Sequence, residues 1–334
     1  MQNPIRFATI GTGKIVRKFL EAAAQCPELS HEALYSRSRE NAEAFIASCP
    51  DASRRAVRTY TDLNAMAQDP SIDAVYLASP NAFHCEQAIL MMRGGKHVLC
   101  EKPIASNSRE LALMIETARE HRVVLMEAMR SAYAPGYSLL RAHLSDLGTI
   151  RRATFQYCQY SSRYDRYKQG IIENAFRPEL SNGALMDIGV YCVYPLVSLF
   201  GIPDRIAAQS VFLENGVDGA GTILASYPQM QAELIYSKIT DSSLPSQIQG
   251  ENANLILREI ADMQELTICR RGGEREVISI DRGSNDMTYE CEEWVRRIRN
   301  GILSLSDSVK TMQVMDEARR QAGIVFPADG KNNA

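Results

Sequence analysis

The stretch IRFATIGTGKIVRKFLEAAAQC, residues 5–26, runs from a short β-prone segment through a turn holding Gly11 and Gly13 into a segment of helical spacing. The apolar residues Ile15, Phe19, Ala22 and Ala23 mark that helix. Strand, glycine turn and helix in this order are the first half of a βαβ unit. The alternation repeats. HEALY (31–35) leads into SRENAEAFIASC, with Ser38 as N-cap. DAVYLAS (73–79) precedes PNAFHCEQAILMMRGG, a helix closed by Gly94 and Gly95. HVLCE (97–101) precedes SNSRELALMIETAREH, and VVLMEA (123–128) ends the series. Several strands are continuous apolar runs, as buried parallel strands are. Right-handed crossovers then make residues 1–128 a doubly wound α/β domain with its ligand crevice at the carboxyl ends of the strands.

Beyond residue 128 the pattern changes. TIRRATFQYCQY (149–160) alternates as a half-buried strand does. RIAAQSVFL, AGTILASY, QAELIYS and ELTIC are further strands, separated by glycine- or proline-bearing turns. Helical segments at 286–300 and 306–322 finish the chain. Residues 129–334 therefore read as one α+β domain on a large, mostly antiparallel sheet.

Composition narrows the function classes. The net charge of −3, from 37 basic and 40 acidic residues, lacks the basic excess of a nucleic-acid binder. The eight cysteines are scattered without a C-x-x-C pair or a Cys/His cluster, so neither a disulfide scaffold nor a metal site is expected. The N-terminus shows no secretory h-region, and a reducing cytoplasmic setting is expected. The one span-like stretch, GALMDIGVYCVYPLVSLFG (183–201), carries Asp187 and Pro195 and reads as a core helix, not a membrane segment.

The glycine turn carries the first chemistry. Gly11 permits a tight turn, and Gly13 lets a pyrophosphate approach the backbone. The first helical turn, at Lys14 and Ile15, offers free N–H groups and a partial positive charge. Val16 stands where the full dinucleotide fingerprint has Gly or Ala. About twenty residues on, where a cofactor lacking a 2′-phosphate meets an acid, this chain has Ser36 and Arg37. A hydroxyl and a guanidinium suit a 2′-phosphate, so NADP(H) is expected in preference to NAD(H). The alternative is that Arg37 and Arg39 are a solvated helix start, with Glu40 close by.

GGKHVLCEKPIA (94–105) ends a strand with Glu101, Lys102 and Pro103. Together with ATIGTGKI, SPNAFH and the closing MDEARRQAGIVFP, it resembles the glucose–fructose oxidoreductase / inositol dehydrogenase / MocA (Gfo/Idh/MocA) family over essentially the whole chain. The resemblance implies an NAD(P)-binding Rossmann domain and a second domain whose open sheet mediates a homodimer or homotetramer. It also implies that Ser79, Pro80 and Asn81 line the nicotinamide side, with Glu101 and Glu127 holding the cofactor end. Lys102 would reach the nicotinamide ribose and the reacting oxygen. His84 is either a cofactor contact or a helix histidine bonded to backbone.

Within 183–201, Asp187 and Tyr191 are four residues apart and share a helical face. Oxidising an alcohol requires a proton to leave its oxygen, and a positioned acid/base speeds that step ~10²–10⁴-fold. Tyr191 is the candidate acid/base, Lys102 the cation that favours its phenolate, and Asp187 the group that orients substrate hydroxyls or Lys102. The alternative for Tyr191 is a satisfied core tyrosine. Many sugar-oxidising relatives carry histidine where Tyr191 stands. DIGVY and EAMR (127–130) instead resemble the branch containing dimeric dihydrodiol dehydrogenase and NADP-dependent D-xylose dehydrogenase. That departure weakens an inference toward inositol or glucose substrates. Arg130, and Arg163 and Arg177 in the loop 160–178, are candidate substrate contacts, a solvated surface loop being the alternative for the last two. The function expected is an NAD(P)-dependent oxidoreductase acting on a sugar, polyol or vicinal diol. The competing class is a cofactor-binding regulator without catalysis, which would need neither Lys102 nor the Asp187/Tyr191 pair.

Overall fold

The computed structural model describes residues 3–49, 57–281 and 283–330. In chain order its first elements are β1 (Ile5–Ile10), α1 (Lys14–Ala23), β2 (Leu29–Tyr35), α2 (Arg39–Ala47), β3 (Arg58–Tyr60), α3 (Leu63–Gln68), β4 (Ala74–Leu77), α4 (His84–Arg93), β5 (His97–Glu101), α5 (Ser108–Glu120) and β6 (Leu125–Ala128). Then follow α6 (Arg130–Tyr133), α7 (Pro135–Ala142), β7 (Ile150–Cys158), α8 (Tyr164–Lys168), α9 (Val190–Phe200), β8 (Arg205–Phe212), β9 (Asp218–Ser226), β10 (Gln231–Ser237), β11 (Ser246–Gly250), β12 (Ala253–Leu257), β13 (Glu265–Arg270), β14 (Arg275–Ser279), α10 (Thr288–Asn300) and α11 (Ser306–Ala322). Among the described residues no helix is long and apolar enough to cross a membrane.

The chain divides into two compact units, Met1–Arg130 with Gly283–Leu305, and Ser131–Arg282 with Ser306–Ala334. This corrects the sequence division, which gave all of 129–334 to the second domain. The physical reason is Trp294, fully buried on α10. It meets Phe7 and Phe19 edge-on, at 6.2 and 6.3 Å between ring centres, and Phe19 stacks on Tyr76 at 3.7 Å. Helix α10 thus completes the core of the first unit.

The first unit carries a six-stranded sheet in the order β3-β2-β1-β4-β5-β6, every pair parallel. The order reverses direction beside β1, between β1 and β4, and doubly wound sheets bind ligands at that switch point. Ser38 caps α2 as expected, its hydroxyl oxygen accepting from the Asn41 N–H.

The second unit is built on eight strands in the order β14-β13-β12-β11-β7-β10-β9-β8, antiparallel except for the parallel β7–β10 pair. Register puts Phe155, Leu234, Ile223, Ile248, Leu255 and Ile268 on one face, all of them fully buried. The other face bears Thr154, Glu233 and Thr222 with the exposed Leu224. The apolar stretch 183–201 packs on the buried face. Its first turn, Leu185–Gly189, is a π-turn, and the regular helix α9 begins only at Val190. Gly189 is small for a reason, because a Cβ there would lie 3.1 Å from the Tyr236 ring.

Candidate active site

In the first unit the residues fit a dinucleotide on their own geometry. Gly11 has φ +115°, and a Cβ there would sit 2.7 Å from the Ala78 carbonyl oxygen, so glycine is required. Gly13 is the extended N-cap of α1, has no side-chain cap bond, and a Cβ there would meet nothing within 4 Å. Packing therefore does not explain Gly13, and the open space leaves room for a phosphate to approach the backbone. Lys14 is exposed and Ile15 half-buried beside that opening. Val16 departs from the fingerprint harmlessly, for it is fully buried under Gly11 as part of the core.

Ser36 follows β2 directly, its N–H bonded to the Tyr60 carbonyl at 3.1 Å. Arg37 is exposed and has no ion pair among the described residues. Glu40, the acid that left the cofactor choice open, accepts from the Ser38 hydroxyl at 2.6 Å, which draws its pKa below the ordinary value. It belongs to the first turn of α2, where an acid favours the helix dipole.

The ends of β4 and β5 form the second part. The Ser79 hydroxyl oxygen is buried and has no partner among the described residues. Pro80 opens a short 3-10 turn over Asn81–Phe83, and Asn81 is buried in it. His84 corrects one expectation. Its ring nitrogens face the Ser79 carbonyl at 2.9 Å and the Pro103 carbonyl at 3.0 Å, inside full burial that pushes its pKa down to about 4. The neutral ring has one N–H, so His84 donates to one of these two carbonyls and sits buried between the loops after β4 and β5, as a helix histidine bonded to backbone.

The turn carrying Lys102 includes a cis Lys102–Pro103 bond. Two buried acids brace its backbone. Glu101 accepts from the Tyr76 hydroxyl at 2.5 Å and from the Lys102 N–H at 3.2 Å, and Glu127 accepts from the Ile104 N–H at 3.0 Å. Sequence reasoning missed Glu290, which α10 brings into this unit. It is fully buried, and neither carboxyl oxygen has a hydrogen-bond partner among the described residues. Burial and the charge of Glu101 hold its pKa well above the carboxylate range. Glu101 is raised by burial too, but Tyr76 and Lys102 favour its ionised form. Glu290 is accordingly the protonated partner. Arg130, expected as a substrate contact, instead pairs with Asp286, which also holds Lys18. It clamps the returning segment to the end of β6.

In the second unit Asp187 lies in the π-turn, not on a regular α-helix, so the shared face assumed for Asp187 and Tyr191 starts one element too early. Tyr191 is 7% exposed and meets Tyr157 edge-on at 5.6 Å. Lys238 is set beside Asp187, with Nζ 2.9 Å from Oδ2. No sequence signal marked it, since a lysine after a strand reads as a solvated end. Asp218 accepts from the Leu185 N–H at 2.7 Å, and burial pushes its carboxyl up to about 7. Gly183 answers to the same acid, because a Cβ there would lie 1.7 Å from Asp218 Oδ1. Arg163 pairs with Glu173, and Arg177 with Glu179 and the Ile172 carbonyl, all near the surface. These contacts favour the solvated reading of both arginines. The 160–178 segment is a loop broken by α8 and two 3-10 turns.

Residues 5–129 match the model of an oxidoreductase family with an NAD-binding Rossmann fold, and residues 143–256 match the C-terminal domain model of the same Gfo/Idh/MocA family. The chain belongs to the Gfo/Idh/MocA oxidoreductase family. A scyllo-inositol 2-dehydrogenase (NADP(+)) from Bacillus subtilis is 48% identical over 97% of this chain and 99% of its own. A trans-1,2-dihydrobenzene-1,2-diol dehydrogenase from Xenopus tropicalis is 30% identical over 96% of this chain and 99% of its own. Among solved structures, a 3-ketoreductase from Actinomadura kijaniata in complex with NADP and TDP-benzene superposes with a TM-score of 0.86 at 22% identity, covering 97% of this chain and 99% of that one. The likeness supports the two-part Gfo/Idh/MocA fold.

Proposed function

We propose that this Gfo/Idh/MocA oxidoreductase is an NADP-dependent dehydrogenase of a cyclic polyol, sugar or vicinal diol, with inositols the first class to test. The observation that carries the cofactor assignment is the pairing of an open Gly13 turn with an exposed Arg37 just past β2 that has no ion pair among the described residues. In this reading Gly11, Gly13, Lys14 and Ile15 hold the pyrophosphate, and Ser36 and Arg37 hold the 2′-phosphate. Ser79, Pro80 and Asn81 face the nicotinamide, and the buried Ser79 hydroxyl gains there the partner it lacks. When bound, the nicotinamide exchanges a hydride with the carbon bearing the substrate oxygen. Tyr191 takes the proton from that oxygen, or returns it. Lys102 supplies positive charge beside the reacting oxygen, where a cation stabilises developing negative charge. Asp187 accepts from a substrate hydroxyl and fixes which carbon reacts. Glu101 and Glu127 keep the Lys102 turn in place.

The substrate class is supported by the 48% identical inositol dehydrogenase and the 30% identical diol dehydrogenase. The same reading makes the chain a homodimer or homotetramer through the solvent face of the eight-stranded sheet, where Leu224 and Val211 stand 49% and 57% exposed. Light scattering on the purified protein tests that, and a monomer at micromolar concentration would end it. A cytoplasmic setting is supported by eight free cysteines.

The functional test is fluorescence titration with NADPH and NADH, followed by a turnover screen over inositols, aldoses and trans-dihydrodiols. Tighter NADPH binding with turnover on at least one polyol is expected, together with loss of turnover but retained NADPH binding in Tyr191→Phe. Tight binding with no turnover on any of them would replace the enzyme by a cofactor-sensing regulator. Near-normal turnover in Tyr191→Phe would remove Tyr191 from the chemistry.

A further inference from the structure

Lys238 follows β10 directly, and its side chain is 2% exposed. An ammonium taken out of water is costly unless it is paired and hydrogen-bonded, and a buried ion pair can often be replaced by apolar residues without loss of stability. Packing alone therefore gives no reason for a lysine here. The ammonium donates to the Ala175 carbonyl at 2.6 Å, lies 2.9 Å from Asp187 Oδ2, and sits 4.7 Å above the Phe176 ring. Its own backbone N–H donates to the Gly219 carbonyl at 2.8 Å, which fixes the stem. The pair is asymmetric, since the Asp187 side chain keeps 34% of its exposure while the lysine is sealed. The acid is thus the accessible member.

The far end of Lys238 holds the 160–178 segment. Ala175 and Phe176 form a buried cluster with Val217, against which Tyr164 and Tyr167 pack. Asn215 secures that cluster, donating to the Phe176 carbonyl at 2.7 Å and accepting from the Tyr167 hydroxyl at 2.9 Å. The segment is therefore docked at its aromatic end, although its cations are solvated. On the other side, Asp218 fixes the backbone of the turn that carries Asp187.

We propose that Lys238 is a positioning residue of the active site, holding the Asp187 carboxylate for an uncharged substrate hydroxyl and fastening the 160–178 segment beside it as a wall of the substrate site. The inference rests on the reading of Asp187 as the group that orients substrate. Because Lys238 already compensates its charge, Asp187 accepts a hydrogen bond from a neutral polyol and does not select an amine cation.

A double-mutant cycle on the full-length enzyme tests this, with kcat and KM measured for Asp187→Asn, Lys238→Met and the double variant on the best polyol and on an amino-substituted analogue. Lys238→Met should lower kcat/KM for the polyol at least about tenfold, within the range of couplings between contacting residues, with NADPH affinity unchanged. In the Asp187→Asn background the same substitution should cost several-fold less, because only the fastening of the 160–178 segment is then lost. Lys238→Met should also shift preference toward the amino-substituted analogue, because it uncovers the charge of Asp187. Equal losses in both backgrounds would reduce Lys238 to a core residue and overturn the proposal. Wild-type kcat/KM in Asp187→Asn would overturn the reading beneath it, and the proposal with it. If Lys238→Met does not yield protein that binds NADPH, Lys238→Gln carries the same cycle, since it keeps a donor for the Ala175 carbonyl and drops the charge.

Discussion

The Tyr76 hydroxyl donates to Glu101 Oε1 over 2.5 Å from within the aromatic core of the first unit. This joins the packing of the fold to the turn that carries Lys102. Tyr76 is fully buried and stacked on Phe19, so its hydroxyl position is set by the core. Removing it leaves one oxygen of a buried carboxylate without that donor, a loss worth ~1–3 kcal/mol. Tyr76→Phe should therefore lower stability by about that amount and loosen the Lys102 turn. Thermal unfolding and kcat on the same preparation check both, and unchanged values for the two would show that Glu101 does not need Tyr76.

Glu290 offers a pH test with a defined sign. Burial first, and then the charge of Glu101, hold its pKa well above the 4.5 of a free carboxyl. Above pH 4.5 the unfolded chain has released this proton while the folded chain keeps it. The contribution of Glu290 is thus fully present below that pH and is lost as pH rises toward the folded value. Glu290→Gln keeps a neutral side chain of the same shape and removes the dependence. Measured between pH 4.5 and 8, the Tm of Glu290→Gln relative to wild type should increase with pH. A difference that stays flat across that range would mean the carboxyl is not held protonated.

How much of this was legible beforehand follows from the range of the interactions involved. HVLCE is β5 to the residue, and Ser38 caps α2, because apolar runs and capping hydroxyls act locally. Strand β3 is three residues, Arg58–Tyr60, and too short to show a period. β11 and β12, SQIQG and ANLIL, each hold a single β-branched residue and no aromatic one, so they show less strand character than their neighbours. The return of α10 was hidden because Trp294 finds Phe7 and Phe19 across nearly the whole chain. The candidate site residues Gly11, Gly13, Glu101 and Asp187 stand in motifs that the sequence displays. Lys238, Asp218 and Glu290 carry no motif, and only tertiary burial distinguishes them from surface charges.

The cofactor preference rests on one exposed guanidinium. Arg37 has no ion pair among the described residues, so removing it should not change stability. A charge-assisted bond to a 2′-phosphate is worth ~1.5–3 kcal/mol, or about tenfold to a hundredfold in affinity. Arg37→Ala should weaken NADPH by that factor and leave NADH unchanged, and Arg37→Asp should reverse the preference. Fluorescence titration of both cofactors reads the ratio. Equal loss for NADPH and NADH would place Arg37 outside 2′-phosphate recognition.

The two glycines of the first turn should separate stability from binding. Gly11 adopts φ +115°, and a Cβ would lie 2.7 Å from the backbone oxygen of Ala78, which cannot move without shifting the end of β4. A side chain there meets both backbone strain and a clash, and strain alone costs ~1–3 kcal/mol. Gly11→Ala should therefore lower Tm and cofactor affinity together. Gly13 has ordinary extended dihedrals, φ −82° and ψ 173°, with open space where a Cβ would stand. Gly13→Ala should fold with wild-type Tm, since an alanine fits the backbone without strain. Its methyl would occupy the space through which a pyrophosphate reaches the first N–H groups of α1. NADPH affinity should fall while stability holds, as measured by titration and thermal unfolding side by side. If Gly13→Ala binds NADPH like wild type, the turn does not hold the pyrophosphate, and the Rossmann reading of this site fails at its first step.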